Sequence, residues 1–380
     1  VTQTTLSISA DFDSGNISVI DASDPQRVQL AIRPDSKSPH FQWFHFKVDG
    51  MQVGEPHAFS LTNASQSSYN RAWTGYNAAA SYDQKTWFRV PSTFDGSALN
   101  FSLSPTQPQI WFAYFEPYSR ERHDWLIDQA LNEAGTELLA TGKSVEGRDI
   151  PLLRKGDGAE GKRNIWIIAQ QHPGEHMAEW FMEGVIERLK ANDAEIAGLL
   201  EKADLYLIPH MNPDGSFHGH LRTNANGKDL NRAWQDSTEE LSPEVFFARQ
   251  QMEKYGVDMF LDVHGDEEIP YIFTAACEGN PGYTDKQKAL EADFRARLSG
   301  MTKDFQTRYG YPRATPGNAN MNLACNSVGE RFKCLALTLE MPFKDNDDAP
   351  NSDTAWSGER SKNLAKDVLS TLAQMVSTLR

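Results

Sequence analysis

Cysteine is scarce in this chain: Cys277, Cys325 and Cys334 are the only three in 380 residues. The number is odd and the spacing suits no metal site. Both facts argue against a disulfide framework and for reduced, packed thiols in a cytoplasmic protein. Positive charge is also short. Lys and Arg total 37 against 52 Asp and Glu, a net charge of −15. That balance argues against nucleic acid as a partner and for a soluble protein. Long apolar runs are missing. None approaches the roughly 20 residues that span a bilayer, so no membrane partner is expected. The opening VTQTTLSISADFDSG has neither a basic stretch nor an apolar one, so no signal peptide is expected there. Repeats, low-complexity tracts and long linkers are absent as well.

The chain exceeds the size at which one core usually stops growing, so two domains are expected. Residues 1–117 read as β. Seven short, aromatic-rich or alternating segments (GNISVIDA, RVQLAIRP, HFQWFHFKV, HAFSLTN, TWFRVP, LNFSLSP and QIWFAYFEP) are separated by Asp, Ser, Gly and Pro. This spacing predicts an antiparallel β-sandwich. The pattern changes near Tyr118. SRERHDWLIDQALNEAG predicts a helix with Ser119 as N-cap and Gly135 as stop. ELLATGK and DIPLLRK read as two strands around the turn Glu146–Asp149. Beyond them, continuous apolar strands (NIWIIA, LYLIPHMNP, DMFLDVH, CLALTLEM) alternate with helices. One helix starts at Ser242-Pro243, one covers 285–308, and one of about six turns closes the chain. Residues 118–380 therefore read as an α/β domain whose mixed, mostly parallel sheet is covered by helices on both faces.

In such sheets functional groups gather at the carboxyl ends of strands. His172 and Glu175 follow NIWIIA, with Pro173-Gly174 between them to turn the backbone. His264 ends DMFLDVH. Two imidazoles and a carboxylate, with water as fourth ligand, make a common catalytic zinc site. H-x-x-E alone is a weak signal and reads more often as a solvated turn. Glu340, in LALTLEMPF, is either a cap at the sheet edge or a general base beside a metal. The Gly- and Asn-rich stretch 212–232 predicts a loop carrying Arg222, Asn231 and Arg232. Arg222 alone reads as a surface arginine. Beside a metal, a hydrolase needs an electrophile to stabilise the developing oxyanion, and an exopeptidase needs a clamp for a terminal carboxylate. Arginine's planar fork suits both roles.

EGRDIPLL, HPGEH, NPDG, GKDLNRAW, LDVHG and TLEMPF stand in that order along the chain. Together they resemble the zinc metallocarboxypeptidase family. The β-rich first domain and the short HLRTN to DLNR spacing are most similar to its cytosolic carboxypeptidase branch. The resemblance covers nearly the whole chain and is strongest over 140–270. It implies one zinc ion per chain held by His172, Glu175 and His264. It implies Glu340 as general base and Arg222 as the group that polarises the scissile carbonyl. Asn231 and Arg232 match the pair that grips the substrate's C-terminal carboxylate. The implied activity is that of a cytoplasmic zinc-dependent protease, a hydrolase of the C-terminal peptide bond of peptides or protein tails. Acidic C-termini are a reasonable expectation, since eukaryotic relatives of the branch remove glutamates from protein tails. Arg313, Arg331 and Lys333 are the candidate cations for such a pocket.

Two features depart from the family pattern. Its digestive members carry a mobile tyrosine about 22 residues before the base; here that position is Asn318, while Tyr309 and Tyr311 lie upstream. HGDEE after the third ligand is unusually acidic. Asp266 and Glu267 are candidates for ordering the site or for discouraging acidic substrates, with the solvated reading favoured for Glu267 and Glu268. Of the other histidines, His176 is expected to face away from the metal, His210 to pack under the loop, and His218 and His220 to lie near Arg222. Trp43, Phe44 and Phe46 read as core and interface. The rival functions are a zinc-dependent amidase or deacylase acting on N-acyl amino acids, and a non-catalytic peptide-binding module. The amphipathic helices suit a dimer interface as well as a core, which leaves the oligomeric state open.

Overall fold

Short β-prone segments that each bury one face must pair edge to edge, and the first 115 residues do so twice. The computed structural model describes residues 6–379; positions 1–5 and 380, the outermost ends of the two expected domains, lie outside it. One five-stranded sheet has the order β1 (Ser7–Ser9), β4 (His45–Asp49), β10 (Gln109–Ala113), β6 (Ala78–Ser81), β7 (Trp87–Val90). The other has the order β2 (Ser18–Asp21), β3 (Val28–Ala31), β5 (His57–Leu61), β9 (Leu99–Leu103), β8 (Ser92–Phe94). The pairs are antiparallel except β3 with β5, which run parallel. All seven expected segments contribute strands. β1, β6 and β8 are additional. β6 is Ala-Ala-Ala-Ser, a composition with little intrinsic strand preference, held between β10 and β7 by the ladder on both sides.

The second sheet system has seven strands in the order β11 (Glu137–Lys143), β12 (Asp149–Lys155), β14 (Ala203–Ile208), β13 (Arg163–Ala169), β15 (Met259–Asp266), β17 (Leu335–Pro342), β16 (Phe273–Ala276). The central four are parallel and the flanking strands antiparallel. The helices are α1 (Arg120–Asp128), α2 (Met177–Ala191), α3 (Ala194–Lys202), α4 (Pro213–His218), α5 (Pro243–Tyr255), α6 (Asp285–Met301), α7 (Ala324–Phe332) and α8 (Gly358–Met375). Ser119 caps α1, its hydroxyl accepting from the Arg122 N–H. Ser242 holds the N-cap position of α5, but its hydroxyl makes no capping bond. The stretch expected as pure loop contains α4, because Asn212 accepts from the Gly215 N–H and Pro213 supplies a preset first residue.

Alternate residues of the central strands feed two cores. Ile165, Ile167, Leu261, Val263, Leu337 and Leu339 pack on the α2/α8 side. Trp166, Ile168, Phe260 and Ala336 pack on the α5/α7 side. The first core runs on without a break into the N-terminal sheets. Tyr114 stacks on Phe343 at 4.5 Å, and Trp43 on His176 at 4.2 Å, so His176 does face away from the candidate metal ligands. Arg89 stitches the junction by donating to the carbonyls of Asn77, Phe343, Thr354 and Trp356. The register then sets the site. His264 lies opposite Glu340 on the parallel neighbour, and β13 ends three residues before His172.

Candidate metal centre and substrate cleft

The turn after β13 is built by its own polar groups. Gln170 takes a left-handed conformation (φ 56°) and its amide donates to the Pro173 carbonyl at 2.9 Å and to Ser216 at 3.0 Å. Gly174 lets the chain pass Leu221, whose carbonyl oxygen would lie 2.9 Å from any Cβ at that position. Both side chains that flank the Pro-Gly step then turn inward. His172 Nδ1 is 2.7 Å from Glu175 Oε1, and His264 Nδ1 is 2.7 Å from Glu175 Oε2. One ligand atom from each of the three buried residues lies within 4.8 Å of the others.

The outer nitrogens are tied down as well. His172 Nε2 meets Asp229 at 3.0 Å, and His264 Nε2 meets Asp262 at 2.9 Å. Carboxylates there fix each Nε2–H tautomer and leave Nδ1 lone pairs facing one point. Burial works against charge on Glu175, yet His172 and His264 hold its carboxyl down to about 2. Burial likewise opposes a charged His264, but Asp262 and Glu175 on its two sides outweigh it and raise its pKa. A cation held by His172, Glu175 and His264 would take the place of a proton between Glu175 and His264.

Glu340 completes this floor. Its Oε1 accepts from the Tyr311 hydroxyl at 3.0 Å, and its Oε2 is buried without a partner. Burial pushes its carboxyl well up, and the charges of Glu175 and Asp266 add to the rise while His264 opposes it. The same Tyr311 hydroxyl lies 2.8 Å from Asp266 Oδ2, so its one proton is shared between the two carboxyl groups. Tyr311 therefore reaches the site from the Gly/Pro-rich segment, and Tyr309 stacks on Tyr271 instead.

The walls come from the 212–232 region. Arg222 Nε donates to Asp229 Oδ2 at 2.8 Å and its Nη1 to the Tyr69 hydroxyl at 2.5 Å. Asn231 Oδ1 accepts from the Ala324 N–H at 2.8 Å, and Arg232 donates to the Asn231 carbonyl at 2.9 Å with its side chain open to the cleft. All seven residues proposed from sequence line one cleft of about 910 Å³.

The expectation of a solvated Glu267 is corrected: it is 6% exposed and lines the cleft, while Glu268 is half-buried and pairs with Arg71 at 3.5 Å. Of the three candidate cations only Arg313 faces the cleft; Arg331 pairs with Glu253 and Lys333 with Glu330 on the surface. His210 is buried, His218 pairs with Glu146, and His220 bonds Ser36 and the Thr223 carbonyl rather than Arg222. Asp229, Asp262, Tyr69 and Arg295 escaped the sequence reading. Asp229, inside DLNR, and Asp262, inside LDVHG, carried a local signal.

Residues 8–115 match the cytosolic carboxypeptidase N-terminal domain, and residues 125–352 match the zinc carboxypeptidase domain. The chain belongs to the zinc carboxypeptidase family. It is a metallocarboxypeptidase, an enzyme of C-terminal peptide-bond hydrolysis. A metallo-carboxypeptidase from Pseudomonas aeruginosa, solved in complex with (2-guanidinoethylmercapto)succinic acid, is 61% identical with a TM-score of 0.97, covering 98% of this chain and 100% of that one. An uncharacterized protein of Zymomonas mobilis is 46% identical over 99% of this chain and 98% of its own. Cytosolic carboxypeptidase 6 of Caenorhabditis elegans is 25% identical over 90% of this chain and 79% of its own. The donor set of this zinc carboxypeptidase fits the metal its family implies: two imidazoles with fixed tautomers and one carboxylate, all buried and convergent. No helix among the described residues is long and apolar enough to cross a membrane.

A buried acid underlies the substrate loop. Glu244, in the first turn of α5, accepts from the Asn224 amide at 3.2 Å. Burial pushes its carboxyl up from 4.5 to about 7. Between those values the folded chain keeps a proton that the unfolded chain has lost, so stability falls as pH rises through that window. Glu244→Gln is expected to be near neutral in effect below pH 4.5 and to stabilise by about 3 kcal/mol at pH 8. Urea melts at the two pH values measure this; equal destabilisation at both contradicts it.

Proposed function

We propose that this carboxypeptidase holds one zinc ion per chain on His172, Glu175 and His264, and that the surrounding side chains divide the reaction as follows. The ion, when bound, supplies a Lewis acid and activates water at neutral pH. Asn231 and Arg232 take the substrate's terminal carboxylate. Arg222 donates to the oxygen of the last peptide carbonyl as negative charge develops there. Glu340 takes the proton of the attacking water and passes it to the departing amine, releasing one C-terminal residue. The observation that carries this reading is the coincidence, in one cleft, of the buried His-Glu-His cluster with an unpartnered oxygen of Glu340.

A preference for acidic C-terminal residues is supported by Arg313. Its side chain is 69% exposed and sits 3.9 Å from Glu278 and 3.8 Å from Glu291, whereas Arg295 is bound tightly to Glu291 and Thr274. The division into residues 1–117 and 118–380 is proposed on the change of sheet type near Tyr118 and on the two family matches. A cytoplasmic setting is supported by three buried, unpaired thiols.

Mass spectrometry of a peptide library after incubation with zinc-loaded protein tests the reading. Stepwise loss of C-terminal residues is expected, with Glu and Asp leaving first. Arg222→Met is expected to lower kcat about 100- to 1000-fold with little change in KM, the signature of a contact made in the transition state. Arg232→Lys is expected to act chiefly on KM. If the two variants exchange these signatures, the assigned roles are wrong.

A further inference from the structure

The loop that carries Arg222 is held by the N-terminal domain as well as by its own. Asp35, 4% exposed, lies on the connection between β3 and β4. Its carboxylate accepts from three consecutive main-chain N–H groups, Leu221 at 2.7 Å and Arg222 and Thr223 at 2.9 Å each, and from the Thr223 hydroxyl at 3.0 Å. Buried backbone donors in a loop have no ladder to satisfy them, so this one acid fixes the path of the chain at Arg222. Neighbouring bonds repeat the pattern. Asn16 donates to the Gly219 carbonyl at 2.8 Å, and the Ser36 N–H donates to His220 at 2.9 Å.

The guanidinium is held across the same boundary. Asp229 takes Nε, and the Tyr69 hydroxyl takes Nη1. Nη2 has no acceptor among the described residues, which leaves that edge for the substrate. A guanidinium has five N–H donors in one plane, and with one on Nε and one on Nη1 engaged the remaining three lie along its Nη edge. Burial pushes the Tyr69 phenol well up, so it remains a neutral partner rather than a competing anion.

We propose that Asp35 and Tyr69 of the N-terminal domain are positioning residues for Arg222, so that the hydrolytic site is assembled from both domains. The proposal rests on the role assigned to Arg222 above. It follows that the N-terminal domain is part of the catalytic apparatus itself, beyond any part in shaping access to the cleft.

The test uses the full chain. Tyr69→Phe keeps the ring and removes the acceptor. It is expected to lower kcat about 10- to 100-fold, KM and zinc content being unchanged, because a small misplacement of a charge-stabilising group is costly. In an Arg222→Met background the same change is expected to cost less than about twofold, since a residue that acts through Arg222 has nothing left to act on. Additive losses would show that Tyr69 acts independently, and full activity in Tyr69→Phe would show that it does not matter; either overturns the proposal while leaving the carboxypeptidase reading intact. A readout independent of turnover is the Arg222 Nε–H resonance, assigned by its disappearance in Arg222→Met. It is expected to shift and broaden in Tyr69→Phe and in Asp35→Asn, and an unmoved resonance in both overturns the proposal whether or not any peptide is cleaved.

Discussion

Glu340→Gln is expected to reduce kcat about 1000- to 10,000-fold while zinc content and KM stay close to those of the parent chain. The substitution is nearly isosteric. Its amide oxygen still accepts from Tyr311, whose hydroxyl lies 3.0 Å from Oε1, so the floor of the cleft is not disturbed. The lost property is the capacity to accept and return a proton. Oε2 is buried with no hydrogen-bond partner among the described residues, which leaves that oxygen free to take a proton. The reaction needs two proton movements, one from the attacking water and one to the leaving amine, and one carboxylate beside the metal cluster can serve both. Single-turnover kinetics with a peptide in excess of KM, beside metal analysis, measures the effect. A variant that keeps more than about a tenth of the parent kcat would remove Glu340 from this role.

The second large effect concerns the metal. The parent chain is expected to contain one zinc per chain by elemental analysis, and His264→Ala is expected to lose both the ion and all measurable turnover. Asp229→Asn and Asp262→Asn provide a sharper test. Each aspartate fixes one imidazole through its outer nitrogen, at 3.0 and 2.9 Å, and loss of such a partner typically weakens metal binding about 10- to 100-fold. The two variants should then diverge. Among the described residues the Asp262 carboxylate bonds His264 and Gln171 and no arginine, so saturating zinc is expected to restore Asp262→Asn almost fully. Asp229 also holds Arg222 at 2.8 Å, so Asp229→Asn is expected to stay impaired in kcat with its metal site full. Equal recovery of both would mean that Asp229 acts on the metal alone.

The cluster of His172, Glu175 and His264 was legible because strand ends are local features. An apolar run followed at once by a polar turn marks both His172-Glu175 and His264, and parallel pairing with His264 opposite Glu340 turns that marking into proximity. Tyr311 was only half legible. It stands among Gly and Pro in a segment of no regular structure, and nothing in its spacing shows that its hydroxyl reaches Glu340. Glu267 was misread because an acidic pair after a strand usually faces water; here the cleft wall closes over the first of the two. β6 was hidden by its alanines, whose pairing comes from neighbours on both sides rather than from their own preference.

By itself the sequence determined the two kinds of sheet, the order of strands and helices in the second, and the residues that gather at its carboxyl edge. Each of these is written in hydrophobic period or in short motifs whose chemistry is local. Tertiary structure alone decided how Arg222 is aimed. Asp35 lies 187 residues from it and Tyr69 lies 153 away, and both look like ordinary loop residues until the two domains meet. No periodicity records such a pairing. A carboxylate bonded to three N–H groups of a distant loop is specified only by the packed interface that brings them within reach.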